Sequence, residues 1–162
     1  MNITQDWNKI RTHFNKSFSS NFHISVASVD SNNNPTVTPI GSLFLNDNQT
    51  GFYFEKFPKK LPQHAKTNKN VCFLGVNSSR LFWLGALFKE KFSSYPGIKL
   101  YGELGERRLA TVKETKRLNR RMRMTKGLKG NTYLWGKMEY VRDIIFVKAE
   151  IINLGKMTSV LQ

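Results

Sequence analysis

Two clusters of turn residues cut the first third of this chain into short alternating segments, and that spacing constrains the fold more than any other feature. Ser31-Asn32-Asn33-Asn34-Pro35 and Asn46-Asp47-Asn48-Gln49-Thr50-Gly51 are turn formers, because Asn and Asp side chains bond their own backbone and tolerate left-handed conformations. Ahead of the first cluster, residues 22–30 alternate, with Phe22, Ile24 and Val26 on one face. Between the clusters, Thr36 to Leu45 reads as a second strand, and Gly51-Phe52-Tyr53-Phe54-Glu55 as a third. Three strands joined by short polar turns make an antiparallel meander. The 12 phenylalanines, in a chain that is 12% aromatic, agree with this, since aromatics suit a pleated, half-buried surface.

Beyond the meander, Pro58 and Pro62 bracket Lys59-Lys60-Leu61 and end the strand pattern, and a short helix fits Gln63 to Thr67. Val71 to Val76 is a continuous apolar run, which predicts a strand buried on both faces. Residues 78–95 contain Leu81-Phe82-Trp83-Leu84-Gly85-Ala86-Leu87-Phe88. That run is apolar all round, so periodicity does not separate strand from buried helix. It is expected to be irregular or helical and partly covered by a second subunit. Ile98–Leu104 and Val141–Leu154 complete six strands. Two helices flank them. Trp7, Ile10, Phe14 and Phe18 share one face of the first. Thr111-Val112-Lys113-Glu114 is a capping box that opens the second, which is expected to run to about Lys126 before Gly127 and Gly130. No repeat or linker marks a boundary, so the expectation is a single mainly β domain over residues 1–162, with its edges closed as an antiparallel barrel.

The formal net charge is +15, from 26 Lys+Arg against 11 Asp+Glu. Residues 113–129 hold eight of those bases and one acid, Glu114. Such an excess draws anionic ligands or polyanions. Cys72 is the sole cysteine; it excludes an internal disulfide and reads as a core thiol. His13, His23 and His64 have no metal-ligand spacing, and His64 is expected at the surface. Trp83 and Trp135 read as packing residues. The longest apolar run falls far short of the ~20 residues a membrane span needs, and the first residues lack a signal peptide's basic start and apolar core. A cytoplasmic protein without a membrane partner is expected.

The order of these pieces resembles a known family. A strand and polar turn lead to Pro35-Thr36-Val37-Thr38-Pro39-Ile40; a second turn leads to Phe52-Tyr53-Phe54-Glu55, then a basic proline loop, a short helix and a buried strand. This order is similar to that of the pyridoxamine 5′-phosphate oxidase-like proteins, the FMN-binding split β-barrel, over about residues 20–76. The resemblance implies a six-stranded antiparallel split barrel that binds FMN at the interface of a homodimer and acts on a small-molecule redox substrate. Carried over, Val37, Thr38 and Pro39 meet the flavin ring, Phe54 and Glu55 flank the ribityl chain, and Lys59 and Lys60 take the phosphate with Lys56 nearby. Three departures limit it. Ala65 or His64 stands where the family has Leu, Asn68-Lys69 stands where it has Asn-Pro, and the end, Ile151 to Lys156, lacks the Trp-Arg-Leu-type motif of the true oxidases. FMN is therefore implied more firmly than that particular reaction.

The residues suit the implied chemistry. Lysine meets phosphate as a point charge, and prolines stiffen the loop that carries Lys59 and Lys60. Pro39 has no N–H to give a ladder, so it marks an edge or rim where a flat ring could lie. No nucleophile or acid–base pair stands out, and flavin chemistry needs none from the protein. The alternative is a basic β-barrel that binds nucleic acid through Arg117, Arg120, Arg121 and Arg123, without redox activity.

Overall fold

The computed structural model describes residues 1–161. The chain runs α1 (Trp7–Asn21), β1 (Ile24–Val29), β2 (Pro35–Ile40), β3 (Leu43–Leu45), β4 (Thr50–Phe54), α2 (Lys60–His64), β5 (Asn70–Val76), α3 (Arg80–Lys89), β6 (Gly97–Leu109), α4 (Val112–Arg121), α5 (Lys129–Trp135) and β7 (Tyr140–Ile151). Every strand pairing is antiparallel, and the sheet order is β2-β1-β5-β6-β7-β4-β3.

That order corrects the expected strand count from six to seven and explains the curvature. The stretch expected to be one strand, Thr36 to Leu45, breaks at Gly41-Ser42. Its first half pairs with β1 and its second half with β4, at opposite ends of the sheet. Three Cα–Cα steps separate Ile40 from Leu43, and they span at most about 11 Å. The two edges can lie that close only if the sheet curls into a half-barrel. At the break Ser42 stands in for a ladder partner: its Oγ accepts from the Phe54 N–H at 3.2 Å and donates to the Phe54 carbonyl at 3.2 Å.

Curling gives the sheet an inside and an outside. Inside, Ile24, Val26, Ile40, Tyr53, Phe73, Leu100 and Ile144 form the main core. Helix α1 closes it with Trp7, Ile10 and Phe14, and the Trp7 indole N–H donates to the Asn46 carbonyl at 2.8 Å. Outside, α4 covers only the β3–β4 end, where Phe44, Phe52 and Phe54 pack on Leu118, Met138 and Val141. Burying a Phe contributes roughly 2–3 kcal/mol, so this cluster holds α4 on the barrel. The capping box forms as expected: Thr111 Oγ1 accepts from the Glu114 N–H, and Glu114 accepts from the Thr111 N–H at 2.8 Å. Helix α4 stops at Arg121, short of Lys126, and a single 3₁₀ turn over Arg123–Thr125 follows.

Other expectations are corrected. Phe22 belongs to no strand; it caps α1 in a left-handed conformation with φ 60°. β5 is buried on alternate residues only, with Cys72, Leu74 and Val76 half-buried on the outer face. The apolar run, expected to be irregular or helical, is helical over residues 80–89, with Leu81, Leu84, Leu87 and Phe88 exposed.

Two predictions follow from this packing. Gly102 sits at a register shift between β6 and β7, where a Cβ would meet the Ile145 carbonyl oxygen at 2.6 Å. Gly102→Ala is expected to destabilise the fold by about 2 kcal/mol, read as a lower urea midpoint at unchanged slope. Arg108 joins Glu114 at 2.7 Å to Asp143 at 2.7 Å, tying the start of α4 to β7. Burial pushes the Glu114 carboxyl up, but hydrogen bonds from Arg108 and Thr111 outweigh it, and the net shift is below the ordinary 4.5. A depressed carboxylate stabilises the fold above its unfolded pKa and loses that contribution as pH falls through the folded value. Acid unfolding is therefore expected to ease below about pH 4.5, and Glu114→Gln should flatten that part of a stability–pH curve.

Candidate functional site: an open strand edge and a lysine cleft

β2 lies at one end of the sheet and pairs only with β1 among the described residues. Pro35 and Pro39 are in register with Val29 and Ser25. Neither proline can donate to β1, so the bonded positions are those of opposite parity, Thr36, Thr38 and Ile40. Val37 shares the prolines' parity, and its N–H and C=O therefore point to the open edge. Its side chain is 68% exposed on the outer face, with Pro39 exposed beside it, while Thr38 turns toward the core side and is half-buried. The outer face continues over half-buried Ala27, Cys72, Leu74 and Tyr101. Burial pushes the Cys72 thiol up, and a 2.8 Å hydrogen bond to Glu150 leads the causes that push the Tyr101 phenol to about 12. Cys72, expected in the core, thus lies on this outer face.

At the start of β2 a cleft of about 360 Å³ opens between Asp30 and Thr36 on one side and Lys60, Gln63 and Thr67 on the other. Helix α2 begins at Lys60, three residues before the expected Gln63, and that shift places Lys60 on its first turn. Lys59 is the residue just before it; both lysines are exposed, and neither pairs with a carboxylate among the described residues. His64 anchors the helix. Expected at the surface, it is buried, with Nδ1 at 2.9 Å from Ser28 Oγ, and Ser28 Oγ lies 3.3 Å from Thr36 Oγ1. This chain fixes α2, and with it Lys60, against β1 and β2. Thr36, Gln63 and Thr67 were not singled out from the sequence; their polarity is ordinary, and only the earlier start of α2 gathers them.

The remaining sequence candidates sit elsewhere. Lys56 donates to the Tyr133 and Gly136 carbonyls at 2.7 and 2.8 Å, which ties it to α5. The Phe54 ring is enclosed in the outer cluster. The Glu55 carboxylate is engaged by Arg142 at 2.5 Å, Arg107 at 3.3 Å and the Tyr53 hydroxyl at 2.8 Å, and its N–H donates to Tyr140. The structure therefore leaves Val37 and Pro39 exposed along β2, with Thr38 half-buried between them, and puts Lys60 beside Thr36 in the cleft at the strand's start, with Lys59 one residue ahead, while the side chains of Phe54, Glu55 and Lys56 serve other contacts. The basic segment is divided: Arg120 and Arg123 are exposed, whereas Arg117 and Arg121 are engaged with the barrel. Arg117 donates to Asn46 and to the Leu45 carbonyl at 2.7 and 2.9 Å, and Arg121 reaches the Leu43 carbonyl. Among the described residues no cluster of His, Cys, Asp and Glu could hold a metal, and no helix is long and apolar enough to cross a membrane.

A curled antiparallel sheet interrupted between β2 and β3 is a split barrel. More closely, it is the split-barrel fold of the pyridoxamine 5′-phosphate oxidase-like proteins. Similar solved structures include an FMN-binding protein from Syntrophomonas wolfei, with 16% identity, TM-score 0.61, and coverage of 95% of this chain and 97% of that one. A candidate pyridoxamine 5′-phosphate oxidase from Lactobacillus delbrueckii is 14% identical with TM-score 0.51, covering 86% of this chain and 90% of that one. HutZ, a heme storage protein from Vibrio cholerae, is 9% identical with TM-score 0.53, covering 93% and 95%. No family model and no curated protein matches the chain.

Proposed function

We propose that this protein is an FMN-binding flavoprotein and acts as an FMN-dependent oxidoreductase on a small molecule. The observation that carries this reading is the cleft lined by Lys60 at the start of a strand that is laddered on one side only. Lys60 lines the cleft and Lys59 precedes it, so both offer positive charge to a phosphate dianion; Thr36, Gln63 and Thr67 offer polar groups, and the one carboxylate there, Asp30, already accepts from the Asn32 and Asn34 N–H groups. Along β2, Val37 and Pro39 give a flat apolar wall, and the free backbone of Val37 offers a donor and an acceptor to a ring edge. These residues fit the cofactor: cations at one end, and an exposed wall with spare hydrogen-bonding groups at the other. Bound FMN would supply the electron transfer, and the chain's part is to bind, orient and set the local potential. The nucleic-acid alternative keeps only Arg120 and Arg123 of its four arginines on the surface, because Arg117 and Arg121 turn inward onto the barrel.

The protein is expected to purify yellow, or to become yellow on addition of FMN, with the flavin bands in its absorbance spectrum. A colourless protein that ignores FMN would sink the reading; a Soret band with released heme would replace it by a tetrapyrrole-binding one.

The proposal includes a homodimer with the cofactor at its interface. The outer face around Ala27, Cys72 and Leu74 is half-buried, and α3 exposes Leu81, Leu84, Leu87 and Phe88 in one short helix. Contiguous apolar surface of this kind marks an interaction site, and a stable dimer buries about 800 Å² per partner. Leu84→Glu is expected to convert a dimer to a monomer by light scattering and to release FMN with it. An unchanged mass would exclude α3 from the interface.

A further inference from the structure

A second cleft, of about 810 Å³, lies between the end of α1 and the inner side of α4. Its size is that of a small-molecule site, which usually measures ~300–1,000 Å³. One wall is aromatic: Phe18 from α1, Phe22 from its C-terminal cap, Phe44 from β3 and Trp135 from α5. The other is cationic: Arg117, Arg120 and Arg121, which the helical repeat puts on neighbouring turns of one face.

Arg121 is the telling residue. It is half-buried, with its guanidinium 3.6 Å from the Phe44 ring centroid and 4.4 Å from that of Phe18. One donor reaches the Leu43 carbonyl. No carboxylate pairs with it among the described residues. Drawing a charge partly out of water without a counterion carries a cost that a bound anion would offset. Burial, with Arg117 alongside, pushes Arg121 down to about 10, which leaves it charged at neutral pH. Arg120 next to it is exposed, and no carboxylate pairs with it among the described residues. At the mouth, Phe22 holds the left-handed φ of 60° and presents a ring that is 74% exposed, and Met124 is 96% exposed. A bulky residue in that backbone region carries strain, and strain of this kind concentrates at functional sites.

We propose that this cleft binds a flat aromatic molecule bearing a carboxylate, sulfonate or phosphate. The ring lies against Phe22, Trp135 and Met124, and the acid group supplies the counterion that Arg121 and Arg120 lack. The inference does not rest on the flavin reading, since the two clefts share no lining residue.

Pyrenecarboxylate and its neutral counterpart pyrenemethanol, titrated into the full chain by fluorescence anisotropy, test it. The acid is expected to bind at least about tenfold more tightly than the alcohol. Arg120→Gln and Arg121→Gln should each weaken the acid by about tenfold or more, and Met124→Glu should do the same by placing a like charge at the mouth. If Arg121→Gln does not fold, the two exposed positions carry the test, with folding checked by circular dichroism. Lys148→Gln, on β7 and not part of the cleft, should leave pyrenecarboxylate affinity unchanged, and Met124→Glu should leave FMN uptake unchanged. Equal affinity for the two probes overturns the proposal. So does an Arg120→Gln variant that binds normally, or a Lys148→Gln variant that loses as much as Arg120→Gln and so reduces the effect to net charge. Loss of FMN uptake in Met124→Glu also overturns it, by merging the two clefts into one.

Discussion

Replacing both Lys59 and Lys60 by glutamine is expected to weaken FMN binding about a hundredfold, or roughly 3 kcal/mol, because hydrogen bonds to charged groups contribute about 1.5–3 kcal/mol each. The two lysines are exposed, unpaired and adjacent at the start of α2, so their removal leaves no carboxylate stranded and costs the fold little. Riboflavin provides the internal comparison. It has the ring and ribityl chain but no phosphate, so it should bind the unmodified protein far more weakly than FMN, and equally well in the double variant. The effect should shrink in high salt, since both cations face water and are screened. Single variants separate the roles: Lys60 lines the cleft with Thr36 and Gln63, whereas Lys59 precedes the helix, so Lys60→Gln should account for the larger share. Unchanged FMN affinity in the double variant removes the phosphate site from this loop. The measurement is a fluorescence titration, in which flavin emission is quenched on binding.

What could be read before the structure was the local grammar. The Asn-rich turns, the capping box and the Trp7–Phe14 stripe involve residues at most a few positions apart, and all three form. The break at Gly41-Ser42 was not legible, because the apolar residues on both sides continue a strand pattern; what breaks the strand is the need of a curled sheet to close, which is a property of all seven strands together. The burial of His64 is hidden from the sequence for the same reason. Its partner Ser28 is 36 residues away, and a lone histidine after a basic loop carries no sign of that contact. The candidate site divides along this line. Val37, Pro39, Lys59 and Lys60 stay accessible, in line with their proline-marked context, whereas Glu55 and Lys56 are claimed by residues 87 and 77 or 80 positions away. α3 is the extreme case. An apolar run can be helix or strand until something packs on it, and within one chain little does.

Glu55→Gln is expected to destabilise the protein by about 3 kcal/mol, because removing one partner of a buried ion pair leaves the other uncompensated, at a cost of roughly 3–5 kcal/mol. The side chains of Glu55 and Arg142 are only 7% and 14% exposed. The guanidinium meets the carboxylate through Nε at 2.5 Å and Nη2 at 3.1 Å and also donates to the Gly105 carbonyl at 2.9 Å. Glutamine keeps the shape and one acceptor but loses the charge, so Arg142 remains buried and unmatched. At about 2–4 °C per kcal/mol for a chain of this size, the melting temperature should fall by about 10 °C. Arg107→Gln is the contrast. That side chain is 45% exposed, and its 3.3 Å contact with the same carboxylate is screened by water, so its loss should cost less than about 1 kcal/mol. The double variant Glu55→Gln/Arg142→Gln should recover part of the loss, since neither charge is then stranded, and a cycle of the four proteins measures the coupling. Equal, small losses for Glu55→Gln and Arg107→Gln would show the network to be open to solvent. The consequence reaches the site through the backbone. Glu55 ends the β4 ladder by donating to Tyr140, and the lysine loop begins at the next residue. A network that pins this point holds the loop's starting position, so Glu55→Gln should also weaken FMN severalfold while leaving the preference for FMN over riboflavin intact. That pattern belongs to a loop less well placed, not to one that has lost its charge.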